Sequence, residues 1–394
     1  MLFSTVWLGL LGLAVALPAD STSSLEKRAD PYNPPRNVIY VQTFRTVQGG
    51  KLSILPLIQQ RTNITHIYLS AVHINAQPGD INLNDDNPNS TVYDAIWQES
   101  AQLQQSGVKV MMMLGGAAPG SYPRLCSGPN GGVNESYYVP LRNTLKYHKV
   151  DGLDLDIEER VPYTCPLALL RRLNADFGSN FILTMAPVAS DLQPNPIGLG
   201  GFSYKTLDAQ ATSSAKPSGK LVNWYNAQFY NGWGDASTPN GYNAIVANGW
   251  PANRVVMGVL DSPNDGGSGW YNISTYQKTI KTLKSNYANF GSVCGWEYWD
   301  AGIRDNYANP WQWVGAVGQS VFASSTGTAP ANRATNVDSG PAPFPNLMSA
   351  LLGKGVGKLE AVRALNISDG SLAGALQVLG LPDLGLGGIL PIKK

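Results

Sequence analysis

The chain has 394 residues, of which 43% are hydrophobic and 14% charged, and its formal net charge is +1. This length and composition are sufficient for one large hydrophobic core with appended segments. The near-neutral charge gives no support to a nucleic acid or an acidic membrane as partner, because such partners select a strongly basic surface. Tyrosine and tryptophan are numerous, with 18 and 10 residues, and they suit stacking on sugar rings but can equally fill a core.

The first 28 residues are predicted to be a secretory signal followed by a pro-segment. An apolar run over Leu2–Leu17 contains the small-x-small sequence Ala14–Ala16, which resembles a signal cleavage site. The dibasic pair Lys27–Arg28 resembles a processing site, so the mature chain is expected to begin at Ala29. The run is too short to span a membrane comfortably, and no membrane span is expected in the mature chain.

Five Asn-x-Ser/Thr sequons agree with this expectation, because such acceptors of N-linked glycans are typical of secreted chains. They lie at Asn63, Asn89, Asn134, Asn272 and Asn366. Each motif is weak by itself. Together with the signal they predict a secreted, extracellular glycoprotein.

Eight apolar runs bounded by turn residues are predicted to be buried strands. They are Asn37–Phe44, His66–Val72, Val108–Leu114, a fourth within Lys149–Glu159, Phe181–Pro187, Leu221–Tyr230, Arg254–Leu260 and Ser292–Trp299. Helical patterns are predicted at Leu52–Gln60, Thr91–Gln105, Glu135–Tyr147, Pro166–Phe177 and Trp311–Phe322. Strands that alternate with helices are typical of parallel βα units, and eight such units fit a closed (β/α)8 barrel. An open, doubly wound sheet would need a glycine-rich phosphate loop after the first strand, which Gln42–Arg45 does not provide.

Three segments lie outside this alternation. Asn75–Ser90 is rich in Asn, Asp, Pro and Gly and is expected to be an insertion over the rim of the barrel. Residues 324–346 are rich in Ser, Thr, Ala, Asn and Pro and are predicted to be a linker. Residues 347–394 form a Gly- and Leu-rich tail of unassigned role, which processing could remove. Residues 29–323 are therefore expected to be the barrel domain.

The fourth strand is the most informative stretch, because apolar and acidic residues alternate in it with a period of two. This period is typical of a β-strand and places Asp154, Asp156 and Glu158 on one face. Carboxylates this close cannot all stay ionised, so at least one proton should be shared and at least one pKa raised. A carboxylic acid with a raised pKa at a strand end is suited to act as a general acid.

Two other interpretations of this strand are weaker. An acidic surface strand would not carry aliphatic residues on its second face, as this one does at Leu153, Leu155 and Ile157. A metal site would require more ligands, and the three histidines of the chain form no spaced cluster. No metal and no other cofactor are therefore expected.

The segment Asp151-Gly-x-Asp154-x-Asp156-x-Glu158 resembles the DGxDxDxE signature of glycoside hydrolase family 18, the chitinases and endo-β-N-acetylglucosaminidases. The resemblance implies a (β/α)8 barrel in which Glu158 stands at the C-terminal end of the fourth strand. It also implies substrate-assisted catalysis. Most glycosidases use two carboxylates instead, and this family is an exception. In that mechanism Glu158 protonates the glycosidic oxygen, Asp156 holds the acetamido N–H and Tyr230 orients the acetamido oxygen. Asp154 is expected to exchange a proton with Asp156, and Asp151, on the opposite face, to be structural.

Other strand ends carry residues that match family positions. Gln228-Phe-Tyr230 resembles the family segment whose tyrosine binds the substrate acetamido group, and Trp296 resembles the tryptophan under the sugar. The alternative for Tyr230 is a tyrosine that only satisfies a neighbouring acid, and the alternative for Trp296 is ordinary filling of the barrel. The same resemblance implies that further residues line the substrate site: Tyr40, Met185, Gly115 and Gly116. Plain packing is the alternative for Tyr40 and Met185.

One departure from the family bears on the substrate. Many members have Ser-x-Gly-Gly after the third strand, where this chain has Met113-Leu114-Gly115-Gly116. Secreted fungal endo-β-N-acetylglucosaminidases are similar to this chain there and at Ala186–Ser190. This closer resemblance favours cleavage of the GlcNAc-β1,4-GlcNAc bond in the core of N-glycans. An endochitinase is the alternative, and a non-catalytic lectin is less favoured because Glu158 is present. The expected partner is a GlcNAc oligosaccharide, and the chain is expected to be a monomer.

The barrel also suggests how the three cysteines are used. Cys126 follows the third strand and Cys165 follows the fourth, so their loops are expected to be neighbours at one rim of the barrel. A disulfide between them is predicted. Cys294 is expected to be buried and free near the last strand.

Overall fold

The computed structural model describes residues 33–196 and 198–323. The predicted signal and pro-segment at 1–28, the linker at 324–346, the tail at 347–394 and the sequon at Asn366 lie outside the described residues. No helix within the described ranges is long and apolar enough to cross a membrane.

The described residues form β-strands and α-helices in alternation. The strands are β1 Asn37–Val41, β2 His66–Ile74, β3 Ile81–Leu83, β4 Lys109–Gly116, β5 Gly152–Ile157, β6 Ile182–Met185, β7 Trp224–Gln228, β8 Val255–Leu260 and β9 Val293–Trp296. The helices are α1 Pro56–Gln59, α2 Asp94–Gln105, α3 Ser121–Leu125, α4 Glu135–Tyr147, α5 Thr164–Phe177, α6 Tyr204–Gln210, α7 Asn240–Ala247, α8 Ile273–Asn286 and α9 Pro310–Phe322.

Eight of these strands close into a parallel barrel. β1 pairs in parallel with β2 on one side and with β9 on the other, which joins the two ends of the sheet. The remaining barrel strands follow in chain order, and β3 is the exception because it lies antiparallel to β2. The structure therefore confirms the predicted (β/α)8 barrel, and the acidic strand β5 is its fourth strand.

Local sequence signals set some element boundaries well and others poorly. α4 begins and ends where the sequence predicts, with Asn134 as its N-cap accepting from the Ser136 N–H. The insertion at 75–90 contains β3, which was not predicted, because three residues are too few for a clear period. Four helices were not assigned either. α3, α6 and α7 have only five, seven and eight residues, whereas α8 has fourteen.

The barrel strands separate two hydrophobic clusters. One cluster lies between the barrel and its helices and includes Leu153 and Leu155 of β5. The other fills the inside of the barrel and includes Tyr40, Met113 and Trp224. Because successive strand residues alternate between these clusters, the acidic residues of β5 point into the barrel interior.

A disulfide joins Cys126, directly after α3, to Cys165 at the start of α5. It therefore links the loops that follow β4 and β5. Cys294 in β9 is a buried free thiol. Of the sequon residues that the structure describes, Asn63, Asn89 and Asn272 are exposed and Asn134 is half-buried. Their glycosylation stays a prediction.

Candidate active site

The three carboxylates of the central strand lie in a row at the top of β5. Asp154 and Asp156 are buried at 0% and 5% exposure, and Glu158 is partly exposed just beyond the strand end. Gln228 of β7 connects the last two, since its Nε2 lies 3.2 Å from Asp156 Oδ1 and 3.3 Å from Glu158 Oε1. The same nitrogen donates to the Ala186 carbonyl at 3.0 Å. Gln228 thus positions both carboxylates at the end of the barrel where parallel strands present catalytic groups.

Asp154 is held by a network of hydroxyl donors inside the barrel. Its Oδ2 accepts from the Tyr40 hydroxyl at 2.8 Å, and its Oδ1 accepts from the Thr184 hydroxyl at 2.5 Å. The Tyr40 oxygen in turn accepts from Asn226 Nδ2 at 2.8 Å. Each donor comes from a different strand, so only the closed barrel assembles this environment.

The electrostatics of the row agree with the expectation that at least one pKa is raised. Burial raises the pKa of Asp154 to about 6, although hydrogen bonds from Thr184 and Tyr40 act in the opposite direction. Burial, followed by the negative charges of Glu158 and Asp154, raises the pKa of Asp156 well above its usual range. Asp154 and Asp156 therefore bind protons more readily than exposed aspartates do.

A cavity opens above this row. Its lining includes Asp156, Gln228 and Tyr230, with Trp296 and Tyr40 also on its wall. The rings of Tyr40 and Trp296 pack against each other with centroids 5.6 Å apart. Among the described residues the Tyr230 hydroxyl has no hydrogen-bond partner, so it can bind a group that enters the cavity. An indole and two phenols around carboxylates form a suitable surface for a pyranose ring.

The two glycines at the end of β4 keep the backbone close to the acidic strand. Gly115 has φ +102°, and a Cβ there would lie 2.1 Å from the Asp156 carbonyl oxygen. Gly116 has φ +85°, and its Cβ would lie 3.9 Å from Asp156 Oδ2. Both positions require glycine for conformation, and Gly115 also requires it for space.

The structure places two predicted residues away from the cavity. Met185 is fully buried in the outer cluster, on the face of β6 opposite to Thr184, so its interpretation as a substrate-binding residue was wrong. Ala186, the next residue, lines the cavity instead. Asp151 lies at the start of β5, where it accepts from Lys109 Nζ at 3.0 Å and from the Val110 N–H at 2.9 Å. These contacts join β5 to β4 and give Asp151 a structural position.

Several residues of the site were not found from the sequence. Thr184 carries no motif, and the available signal was a polar residue at an inward position of an apolar strand. Asn226 lies in β7, two residues before Gln228, and was not singled out from the sequence. Glu297, next to Trp296, accepts from the Gln42 and Thr43 N–H groups at 2.7 and 2.8 Å and so fixes the loop after β1.

The profile of the glycosyl hydrolases family 18 matches residues 36–315. This span is most of the chain and includes the whole row of carboxylates. The chain therefore belongs to glycosyl hydrolase family 18, and the family resemblance of its central strand is confirmed.

Two solved structures and one further chitinase are similar to the chain. The chitinase ChiC from Aspergillus fumigatus is 42% identical with a TM-score of 0.64, over 72% of this chain and 99% of that one. A fungal endo-beta-N-acetylglucosaminidase from the same family is 37% identical with a TM-score of 0.66, over 73% of this chain and 98% of that one. Chitinase 2 from Rhizopus oligosporus is 28% identical over 221 residues, which are 52% of this chain. The match spans only 36% of the length of that chitinase.

Proposed function

We propose that the chain is a retaining glycosidase that cleaves the β-1,4 bond between two GlcNAc residues with assistance from the substrate. The observation that supports this most directly is that the side-chain nitrogen of Gln228 contacts both Asp156 and Glu158, beside the cavity lined by Trp296. Two carboxylates held this close to each other lie on one side of the bound sugar. They are therefore not placed on its two opposite faces, as a separate acid and nucleophile would be.

The mechanism uses the acetamido group of the substrate as the nucleophile. Glu158 donates a proton to the glycosidic oxygen while that oxygen leaves the anomeric carbon. Asp156 accepts a hydrogen bond from the acetamido N–H, and Tyr230 donates one to the acetamido oxygen, which attacks the anomeric carbon. The resulting oxazolinium ion is opened by water, with Glu158 taking the proton from that water, so the product retains its configuration.

The composition of the cavity wall argues for this route. Of the described residues that line the cavity, Asp156 alone carries a carboxylate, and Glu158 stands just beyond that lining. A conventional retaining enzyme would need a second carboxylate across the sugar, about 5–5.5 Å from the acid, as nucleophile. Asp156 lies instead on the same strand as the acid, two residues before it. Asp154 stays deeper, where it can exchange a proton with Asp156.

The preferred substrate is proposed to be the chitobiose core of N-glycans, and the protein is proposed to be secreted. The similarity to the fungal endo-beta-N-acetylglucosaminidase supports this, together with Met113-Leu114-Gly115-Gly116 in place of Ser-x-Gly-Gly and the predicted secretory signal. Hydrolysis of chitin is the second candidate, and it is favoured by the 42% identity to the Aspergillus fumigatus chitinase. Both reactions break the same bond, so the chemistry of the site does not separate them.

A paired assay tests both proposals. The secreted protein is incubated with ribonuclease B, which carries high-mannose glycans, and with a chitin oligosaccharide, and the products are analysed by mass spectrometry. Ribonuclease B left with a single GlcNAc, with intact chitin oligomers, would support the N-glycan enzyme. Shortened chitin oligomers with intact glycoprotein would instead identify a chitinase.

The variant Glu158→Gln tests the role of the acid. It keeps the size of the side chain and the contact with Gln228, but it cannot deliver the proton. Turnover is expected to fall by about 10²–10⁴-fold without loss of folding. Full activity in this variant would refute the assigned role, and binding without turnover in the unmodified protein would favour a lectin.

A further inference from the structure

A second acidic cluster lies outside the proposed catalytic row. It consists of Asp261, directly after β8, Asp265 in the following loop, and Asp300 beyond β9. One carboxylate oxygen of each lies within 4.8 Å of the others. Asp261 and Asp300 are buried at 0% and 3% exposure, so water does not solvate this set as it would on the surface. The proposed mechanism uses none of these residues.

The cluster contains buried oxygens that lack a donor. Both carboxylate oxygens of Asp261 and Oδ1 of Asp300 are buried, and when the cluster is ionised no group among the described residues donates a hydrogen bond to them. The carboxyl of Asp265 contacts that of Asp261, and the two can share a hydrogen bond only when one of them is protonated. Two other oxygens have donors, because Asp300 Oδ2 accepts from Ser262 at 2.8 Å and Asp265 Oδ2 accepts from the Glu297 N–H at 3.1 Å. A fully buried carboxylate without a hydrogen-bond donor destabilises the fold unless a positively charged group binds it.

No side chain supplies that positive charge. Within residues 33–196 and 198–323, none of the three aspartates forms an ion pair with a lysine, arginine or histidine. Glu297 adds a fourth buried carboxylate nearby, and its hydrogen bonds come from neutral groups at Gln42 and Thr43. The uncompensated charge therefore requires either protons or a cation.

We propose that Asp261, Asp265 and Asp300 together bind one Ca²⁺ ion. Calcium prefers hard oxygen ligands at 2.3–2.6 Å, so two oxygens on one ion can be separated by up to about 5 Å. The separations in this cluster fall within that limit. The unpartnered oxygens of Asp261 and Asp300 and one oxygen of Asp265 are the direct ligands, and water completes the coordination. No metal was expected from the sequence, because the acidic strand offered too few ligands and the histidines formed no spaced cluster. These aspartates, in contrast, come from two separate strand ends.

The position of the cluster gives the ion a structural task. Asp261 is the residue after β8, and its N–H donates to the Trp296 carbonyl at 3.0 Å. Its carbonyl accepts from the Gly302 N–H at 2.8 Å. An ion held by Asp261, Asp265 and Asp300 would join the loop after β8 to the segment that carries Trp296. This proposal does not depend on which glycan the protein cleaves.

Binding can be measured without an activity assay. The protein is treated with EDTA, desalted and titrated with CaCl₂ by calorimetry, and in parallel with Tb³⁺, a luminescent substitute for Ca²⁺. A Cβ built at Gly295 would lie 2.7 Å from the Trp313 ring and 2.9 Å from Asp261 Oδ2, so an indole adjoins the cluster and can sensitise Tb³⁺. One equivalent of saturable Ca²⁺, competing with Tb³⁺, is expected. At a hundredfold excess over the dissociation constant, the melting temperature should rise by about 4 °C.

Two variants and a matched control locate the site. Asp261→Asn and Asp265→Asn each remove one ligand charge and should weaken Ca²⁺ binding at least about tenfold. Asp305→Asn is the control, because Asp305 lies in the same segment but outside the cluster. Its Oδ1 accepts a hydrogen bond from the Ile273 N–H, and asparagine keeps that oxygen. This control should bind as the unmodified protein does.

Absence of Ca²⁺ binding and of a melting shift in the unmodified protein would overturn the proposal and would mean that the cluster holds protons. Binding that survives in Asp261→Asn and Asp265→Asn would overturn it as well, because the ion would then lie elsewhere. If Asp261→Asn does not fold, two measurements still decide the question. They are the titration of the unmodified protein and the titration of Asp265→Asn, which changes a partly exposed residue.

Discussion

The hydroxyl of Thr184 offers a quantitative test of the network around Asp154. In the variant Thr184→Val the shape of the side chain is kept, but Asp154 Oδ1 loses its donor at 2.5 Å. Hydrogen bonds to a charged group contribute about 1.5–3 kcal/mol, and those between neutral groups about 1 kcal/mol. The loss should therefore be larger when Asp154 is ionised than when it is protonated.

The sign of the pH dependence follows from the raised pKa. Burial places the pKa of Asp154 at about 6 in the folded protein, above the model-peptide value of 3.8. Loss of the Thr184 donor should raise this folded-state pKa further, because the ionised carboxylate loses about 1.4 kcal/mol more than the neutral form does. At about pH 4.5, Asp154 is protonated in both folded proteins and this contribution is absent. As the pH rises through about 6 and above, the variant should lose the additional stability.

We therefore expect Thr184→Val to lower the free energy of unfolding by about 1 kcal/mol near pH 4.5 and by about 2.5 kcal/mol near pH 8. Urea unfolding followed by tryptophan fluorescence at both pH values measures the difference. Thr279→Val is the matched control, because the Thr279 hydroxyl is also buried but donates to the Ser237 carbonyl at 2.9 Å, which does not titrate. An equal loss at both pH values in Thr184→Val would refute the assigned ionisation of Asp154.

Three further predictions concern the surroundings of the site. Gly115→Ala should destabilise the fold by more than about 3 kcal/mol in urea unfolding, because its Cβ would clash with the Asp156 carbonyl, whereas Gly178→Ala has free space and carries only the positive-φ strain. Glu159→Gln should lose about 1–2 kcal/mol in the same assay, because its carboxylate accepts the Gly120 and Tyr122 N–H groups; an unchanged midpoint would contradict this. Trp296→Ala should raise KM by about tenfold or more with a smaller change in kcat, and steady-state kinetics showing only a kcat effect would exclude a platform role.

The orientation of the carboxylate row in β5 followed from local sequence alone. The period of two in β5 is a property of the extended backbone, so Asp154, Asp156 and Glu158 must share a face wherever the strand lies. The same local rule explains α4, whose capping residue Asn134 and apolar period mark its ends. The same rule shows why Met185 does not line the cavity. It lies one residue after the inward-facing Thr184 and therefore faces the helices.

Contacts between strands were decided by the closed barrel. Thr184, Tyr40 and Asn226 surround Asp154 because β6, β1 and β7 present their inward residues at similar heights, and no spacing along the chain records those heights. The convergence of Asp261 with Asp300 likewise depends on the pairing of β8 with β9. Sequence periodicity determines which face a residue occupies, whereas strand register and barrel closure determine which residues it meets there.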